Sequence, residues 1–219
     1  MNSYNWLGNN TIVVIDNFFS QKNLKLVTEE VKKMQFWATE DHPEAFDIAK
    51  TDKDGNKITY EHGYRLQNDN QGYDWYPGTR TNKFQISHPL LDSFIIRHIE
   101  RTEAIFTQKP WTQHQYAHLR TKDDNKGDFV HQDPDDWAYL IYLSETNLDS
   151  GTKMYDSIKT AAGTNVRPTK EDKEHAFVGF VQNRLVMFDS LIPHMAWNNH
   201  GNDLSDGRLT INAFCNYDY

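Results

Sequence analysis

The stretch Arg208-Leu209-Thr210-Ile211-Asn212-Ala213-Phe214-Cys215 decides the fold. Leu209, Ile211, Ala213 and Cys215 fall at every second position, with Arg208, Thr210 and Asn212 between them. Side chains alternate across a strand, so Arg208 to Asn216 reads as a strand with one core face. The other face carries an arginine and a threonine. Working back, Gln113 to Arg120, Asp128 to Asp133, Ala138 to Leu143, Lys153 to Asp156, Ala176 to Val181 and Arg184 to Phe188 are further short strands. Many short strands separated by turn signals predict a sandwich or barrel.

The front half reads differently. Thr11 to Asp16 is a short β-branched strand, and Ser20 stands where a helix N-cap belongs. Leu24, Val27, Val31 and Met34 then recur at helical spacing, which predicts a helix from Gln21 to Gln35. Pro89 opens a second helix with Leu91, Phe94, Ile95, Ile99 and Phe106 on one face. Both helices are expected to cover a sheet. Between them, Thr39 to Gln85 is polar and aromatic. Asp54-Gly55-Asn56 marks a turn, with Lys57 to Tyr60 as one hairpin arm. Tyr73, Trp75, Tyr76, Pro77 and Gly78 gather beside Arg80, as a binding loop or lid or as a surface meander packed by its own aromatics. No repeat or linker divides the chain. It reads as a single domain over 1–219, with 1–110 as helical support and lid and 111–219 as the β core.

The 219 residues carry 23 basic and 31 acidic side chains, a net charge of −8. That balance argues against nucleic acid or an anionic membrane as the partner. One cysteine, Cys215, excludes an internal disulfide and a multi-cysteine zinc site. No apolar run is long enough to span a bilayer, and Met1 to Asn10 lacks the features of a signal peptide. The expectation is a cytoplasmic protein. Ten histidines and 29 aromatics (6 Trp, 11 Tyr, 12 Phe) hint at a site.

Three His-x-acid triplets occur: His42-Pro43-Glu44, His98-Ile99-Glu100 and His131-Gln132-Asp133. The first lies in the polar loop. The second lies in the expected helix, where i and i+2 do not share a face. Only His131 and Asp133 fall in an expected strand, where an imidazole and a carboxylate converge. Pro134 then ends that strand. His194 follows the apolar strand Leu185-Val186-Met187-Phe188, which can carry it to the mouth of a barrel. Beyond it, Arg208 and Thr210 share one face and suit a carboxylate: a bidentate fork plus a hydroxyl. Two histidines and one carboxylate leave three metal positions open, the donor set of non-haem Fe(II) oxygenases. The arginine suggests a keto-acid co-substrate.

These residues resemble the Fe(II)- and 2-oxoglutarate-dependent oxygenases, and most closely the prolyl-4-hydroxylase-like branch. The match consists of His131, Asp133, His194 and Arg208 in order. Val13-Val14-Ile15-Asp16-Asn17-Phe18-Phe19-Ser20 resembles the strand-then-helix opening of that branch. Ser150-Gly151-Thr152 resembles its small-residue turn. The blocks Tyr76-Pro77-Gly78-Thr79-Arg80 and Asn183-Arg184-Leu185-Val186-Met187-Phe188-Asp189 resemble a subgroup without a named substrate. The resemblance covers Gln113 to Asn216 well and the front half loosely. It implies a mainly β chain with flanking helices: a double-stranded β-helix, or jelly roll, supported by N-terminal helices. It implies Fe(II) on His131, Asp133 and His194, and 2-oxoglutarate salt-bridged to Arg208, aided by Thr210 and Tyr142. O2 is the oxidant and ascorbate an accessory reductant. The implied reaction is hydroxylation of a peptidyl or amino-acid-like small molecule. Where many prolyl hydroxylases carry a tyrosine, three residues before the first ligand, this chain has Asp128. Tyr116 and Tyr139 are candidate pocket residues. Two other readings stand beside this one: a cupin-like metal-dependent lyase, isomerase or hydrolase, and a non-catalytic β-sandwich binding module.

Overall fold

The computed structural model describes residues 4–7, 12–38, 50–51, 57–58, 65–68, 72–75, 77–102, 110–126, 128–133, 135–156 and 172–217. The chain opens with β1 (Tyr4–Leu7), β2 (Ile12–Ile15) and α1 (Gln21–Lys32). Short strands follow: β3 (Trp37–Ala38), β4 (Lys50–Thr51), β5 (Lys57–Ile58), β6 (Arg65–Asn68), β7 (Gly72–Trp75) and β8 (Thr79–Arg80). Next come α2 (Phe84–Ser87), α3 (Pro89–Thr102), β9 (Pro110–Arg120) and a 3-10 turn at Lys122–Lys126. The back half holds β10 (Trp137–Tyr142), β11 (Asn147–Tyr155), β12 (Glu174–Phe180), β13 (Leu185–Asp189), β14 (His194–Trp197) and β15 (Arg208–Tyr217).

Two antiparallel sheets form the core. The larger has the order β1-β2-β13-β10-β15-β9-β8-β3, and the smaller β12-β11-β14. Ile12, Val14, Ala138, Tyr142, Val186 and Phe188 of the larger sheet pack against Met154, Val178 and Phe180 of the smaller. The helices cover the larger sheet's other face. There Leu24, Val27 and Val31 of α1, with Leu91, Ile95 and Ile99 of α3, meet Ile141, Leu209, Ile211, Ala213 and Cys215. The alternation read in β15 is thus a partition between two cores, one under the helices and one inside the jelly roll. No helix among the described residues is long and apolar enough to cross a membrane.

The Ser20 hydroxyl accepts the Asn23 N–H as a helix cap should, and α1 stops at Lys32, three residues before the expected Gln35. Asn183, at φ 65°, ties the front of the chain to the core. Its side chain donates to the Phe19 carbonyl at 2.7 Å and accepts the Phe19 N–H at 2.8 Å.

Several expectations need correction. The front half is not only helical support, because β1, β2, β3 and β8 all extend the larger sheet. Asp128 to Asp133 is not a strand. It makes an isolated bridge, His131 to His194, and no ladder extends from it: on the partner side the Ile192 N–H donates to the Asp189 carbonyl and the Ile192 carbonyl accepts from His194 Nδ1. The Pro193 carbonyl is taken by the Tyr155 N–H. Ser150-Gly151-Thr152 is not a turn but the middle of β11, which starts well before the expected Lys153. Tyr139 does not line the jelly-roll interior: along β10, Tyr139 and Ile141 face the helices while Ala138 and Tyr142 face inward. The expected hairpin arm is Lys57–Ile58, paired with Lys50–Thr51. The readings on His42, Glu44, Tyr60, Tyr76, Phe106 and Pro134 lie outside the described residues.

Candidate metal centre

His131 and His194 exchange backbone hydrogen bonds of 3.0 and 2.9 Å. Such a pair holds the two Cα atoms about 5.5 Å apart. The two rings lie with centroids 4.4 Å apart at 54°. Two residues on, the Asp133 N–H donates to the Ser190 carbonyl at 3.1 Å. That contact keeps the segment extended although no ladder forms, so the i, i+2 convergence survives. The Asp133 carboxylate lies 3.2 Å from His194 Nε2 and 3.7 Å from His131 Nε2. Ligand atoms of all three residues fall within 4.8 Å of one another.

The protein prepares these groups as donors. His194 Nδ1 donates to the Ile192 carbonyl at 2.8 Å, which leaves Nε2 as the lone-pair donor. The His131 ring is held by a hydrogen bond to the backbone of Phe129. Burial, then the neighbouring His194, pushes the His131 pKa down to about 3 against the pull of Asp133. A neutral imidazole is the form that binds metal. Burial works to raise Asp133, but His194, His131 and Arg80 outweigh it and hold the carboxylate below its ordinary value. Phe188 closes one side, edge-on to His194 at 4.6 Å. Two imidazoles and a carboxylate suit a first-row divalent ion with open positions.

Deeper inside lies Arg208, 3% exposed. Its guanidinium rests against the rings of Tyr142 and Phe180, 5.6 and 5.5 Å from their centres. Its hydrogen bonds to the Gly151 carbonyl and Thr152 hydroxyl are long, 3.4 Å each. Among the described residues its Nε has no hydrogen-bond partner. Burial draws its pKa down, while Tyr142 pulls the other way. The Tyr142 hydroxyl bonds the Thr152 hydroxyl at 2.8 Å, and burial raises the Tyr142 pKa. Thr210, fully buried, donates to Asn212 Oδ1 at 2.8 Å.

The distance between the two groups follows from β11. Arg208 meets Thr152, and His194 pairs with Met154, one inward step further along the strand. That step is about 7 Å, the scale of a five-carbon dicarboxylate. Six of the sequence-derived site residues therefore line one interior, with His131, Asp133 and His194 at one level and Arg208, Tyr142 and Thr210 at the next, while Tyr139 faces the helices.

Sequence reasoning missed part of the surroundings. Arg120 on β9 stands opposite Arg208 in register, and its charge is met by Asp128, which also accepts from Asn199. Like charges facing each other across strands destabilise, so Asp128 offsets Arg120 beside Arg208. The one available signal was Asp128 in the place of the tyrosine usual in prolyl hydroxylases.

No family model matches the chain, and no curated protein matches it. Solved structures do. The non-haem alpha-ketoglutarate-dependent epimerase SnoN from nogalamycin biosynthesis is similar with a TM-score of 0.58 and 9% identity, over 93% of this chain and 77% of that one. HygX from Streptomyces hygroscopicus, with nickel, 2-oxoglutarate and hygromycin B bound, gives 0.57 and 11%, over 93% and 81%. A prolyl hydroxylase from Trichoplax adhaerens, in complex with a hypoxia inducible factor peptide fragment, gives 0.55 and 10%, over 94% and 83%. At these identities the likeness establishes a shared fold, the jelly roll of the iron and 2-oxoglutarate oxygenases.

Proposed function

We propose that the chain is a non-haem Fe(II)- and 2-oxoglutarate-dependent dioxygenase. In this reading His131, Asp133 and His194 hold the metal, and Arg208, Thr210 and Tyr142 receive the distal carboxylate of the co-substrate. The observation that carries it is the buried Arg208, whose Nε is orphaned among the described residues one inward step from the triad. A buried guanidinium left with long hydrogen bonds is costly unless an anion completes it.

When bound, iron and 2-oxoglutarate supply the activation of O2, with release of succinate and CO2. The chain's own residues bind and orient. His131, kept neutral by burial, and His194, whose ring is fixed by the Ile192 carbonyl, would present their rings to the metal. Asp133 completes the triad, and a carboxylate there suits hydroxylation rather than halogenation. Arg208 and the Tyr142–Thr152 hydroxyl pair would hold the distal carboxylate of the keto acid, one inward step along β11 from the triad. Phe188, Tyr142 and Phe180 keep water from the interior. Hydroxylation of a C–H bond in a peptidyl or amino-acid-like substrate is the proposed outcome. Its support is the Asp133 ligand and a fold shared with a peptide-bound prolyl hydroxylase; the shared fold also serves an epimerase.

The test is succinate formation from 2-oxoglutarate with Fe(II) and ascorbate, paired with direct binding measurements. Wild-type protein is expected to bind metal and 2-oxoglutarate, and His131→Ala to lose both metal and turnover. Metal binding without keto-acid binding would overturn the oxygenase reading in favour of a metal-dependent lyase, isomerase or hydrolase.

A further inference from the structure

The loop 198–207, which joins β14 to β15, brings a histidine to the inner wall beside Arg208. Its first turn is clamped on both sides of His200. Asn199, buried, donates its backbone N–H to Asn125 Oδ1 at 2.7 Å, and its carbonyl accepts from Asn125 Nδ2 at 2.9 Å. Its side-chain amide donates to the Asp128 carboxylate. Gly201, at φ +72°, accepts the Lys122 N–H at 3.1 Å, and a Cβ there would stand 2.2 Å from the Asp206 carbonyl oxygen. The backbone of His200 is therefore fixed from both neighbours.

Its ring stands edge-on to Phe180, with centroids 5.4 Å apart at 77°. Phe180 in turn stacks on Tyr142 at 4.3 Å and 12°. The Arg208 guanidinium is almost equidistant from these two rings, 5.5 and 5.6 Å from their centres, so it lies beside the edges of their stack. Tyr142, Arg208 and His200 thus all touch or flank one ring. Two of the polar atoms around it are shielded from solvent and have no hydrogen-bond partner among the described residues: Arg208 Nε and His200 Nδ1. Burial, then the charge of Arg208, holds the His200 pKa below its ordinary value against the pull of Asp206. A neutral imidazole with its proton on Nδ1 is a hydrogen-bond donor there. Leaving such a donor unmet is costly away from water. A single carboxylate, with two oxygens and about four lone-pair sites, can meet this donor and the guanidinium together.

We propose that His200 is a second anchor for the distal carboxylate of the co-substrate, donating from Nδ1 beside Arg208, and that it selects a dicarboxylic over a monocarboxylic keto acid. The inference rests on the dioxygenase reading and adds to it a residue from outside the β strands. Hydrogen bonds to an ionised acceptor are stronger than neutral ones, so a donor with a fixed backbone contributes to selection as well as to affinity. The loop that carries His200 also joins β14, which begins at His194, to β15, which begins at Arg208. One connection thereby spans the metal end and the carboxylate end of the site.

The experiment measures two dissociation constants on Co(II)-loaded protein by calorimetry. One probe is 2-oxoglutarate; the other is 2-oxopentanoate, which keeps the chelating keto acid and the five-carbon chain but ends in a methyl group. His200→Phe, which keeps a ring against Phe180, should weaken 2-oxoglutarate by about tenfold or more and leave 2-oxopentanoate within about twofold of wild type. His200→Asn, whose amide N–H can stand in for Nδ1–H, should keep 2-oxoglutarate within about threefold. His200→Gln, whose longer side chain carries its amide toward the Nε2 position, should lose the preference as the phenylalanine variant does. That contrast between the two amides holds even if the phenylalanine variant fails to fold. A preference for 2-oxoglutarate unchanged in His200→Phe or His200→Gln, or an equal weakening of both keto acids, overturns the anchor. A wild-type protein that binds neither keto acid sinks the dioxygenase reading instead, which keeps the two failures distinct.

Discussion

Replacing Arg208 by methionine is expected to move stability and ligand binding in opposite directions. Without 2-oxoglutarate, Arg208 is a charge inside the barrel with two hydrogen bonds of 3.4 Å and an orphaned Nε among the described residues. Among the described residues its further compensation comes from the Tyr142 hydroxyl, the Tyr142 and Phe180 rings and the nearby Asp128. Exchanging poorly paired buried ions for apolar residues of similar volume stabilises by about 1–4 kcal/mol in comparable cases. For a chain of this size, each kcal/mol corresponds to about 2–4 °C in Tm. The variant's ligand-free midpoint should therefore rise by at least about 2 °C. With 2-oxoglutarate the sign reverses. Its distal carboxylate would enter an apolar site unpaired, a loss of about 3–5 kcal/mol, or about 150- to 5,000-fold in Kd. Metal affinity should stay near wild type, because Arg208 touches none of the triad. The assay is a thermal melt of metal-loaded protein with and without 2-oxoglutarate, plus a Co(II) titration. A variant that melts lower than wild type when ligand-free, or binds 2-oxoglutarate within tenfold of wild type, refutes the argument that Arg208 awaits an anion.

Three further outcomes follow from the same structure. Gly151→Ala would place a Cβ 2.3 Å from the Val178 carbonyl oxygen and 2.8 Å from the Phe177 ring, so it should cost about 1–3 kcal/mol in a denaturant melt. By displacing Thr152 it should also weaken 2-oxoglutarate. Asn183→Ala should destabilise by about 2–4 kcal/mol, since it strips both bonds from Phe19 and leaves a Cβ at positive φ. Asn183→Gly should recover only the part due to φ, and equal losses in the two variants would show that strain contributes nothing. The third concerns pH: His131 has its folded pKa depressed to about 3, so below pH 6.5 the unfolded chain takes up a proton that the folded one refuses. The metal-free protein should lose stability progressively between about pH 6.5 and 3, and His131→Gln should flatten that slope; an unchanged slope would show that His131 is not held neutral.

The sequence exposed what is periodic and hid what is shared between distant strands. β15 was legible because its two faces meet different cores, so its alternation is clean. β10 was not: Trp137-Ala138-Tyr139-Leu140-Ile141-Tyr142 is apolar on both faces, and nothing in it says that Tyr142 points inward and Tyr139 outward. β14 is four residues long, too short for any period, so His194 read as a residue following the previous strand rather than as the start of its own. Ser150-Gly151-Thr152 resembles the small-residue turn of the family, yet Gly151 stands inside a strand, where the Val178 carbonyl leaves no room for a side chain. The triad was legible as residue types. Its geometry was right for a different reason than expected, one bridge in place of a strand. The Arg120–Asp128 pair and the placement of Arg80 over Tyr116 depend on strand register, which no local pattern encodes.

On the proposed reading, the reciprocal backbone bonds between His131 and His194 bear on how the site would acquire its metal. Residues 63 apart in sequence are brought together by the chain's own folding, so their lost freedom is not charged to ion binding. Metallation is then uncoupled from folding, unlike in a zinc finger, where the ion assembles the domain. A pocket formed in advance accepts whichever divalent ion arrives, and intrinsic affinity ranks copper, nickel and zinc above iron. If the dioxygenase reading holds, occupancy by iron would then be governed by supply and exchange rather than by the shape of the site. Protein purified in the presence of other metals should be correctly folded, inactive, and restorable by chelation and iron alone.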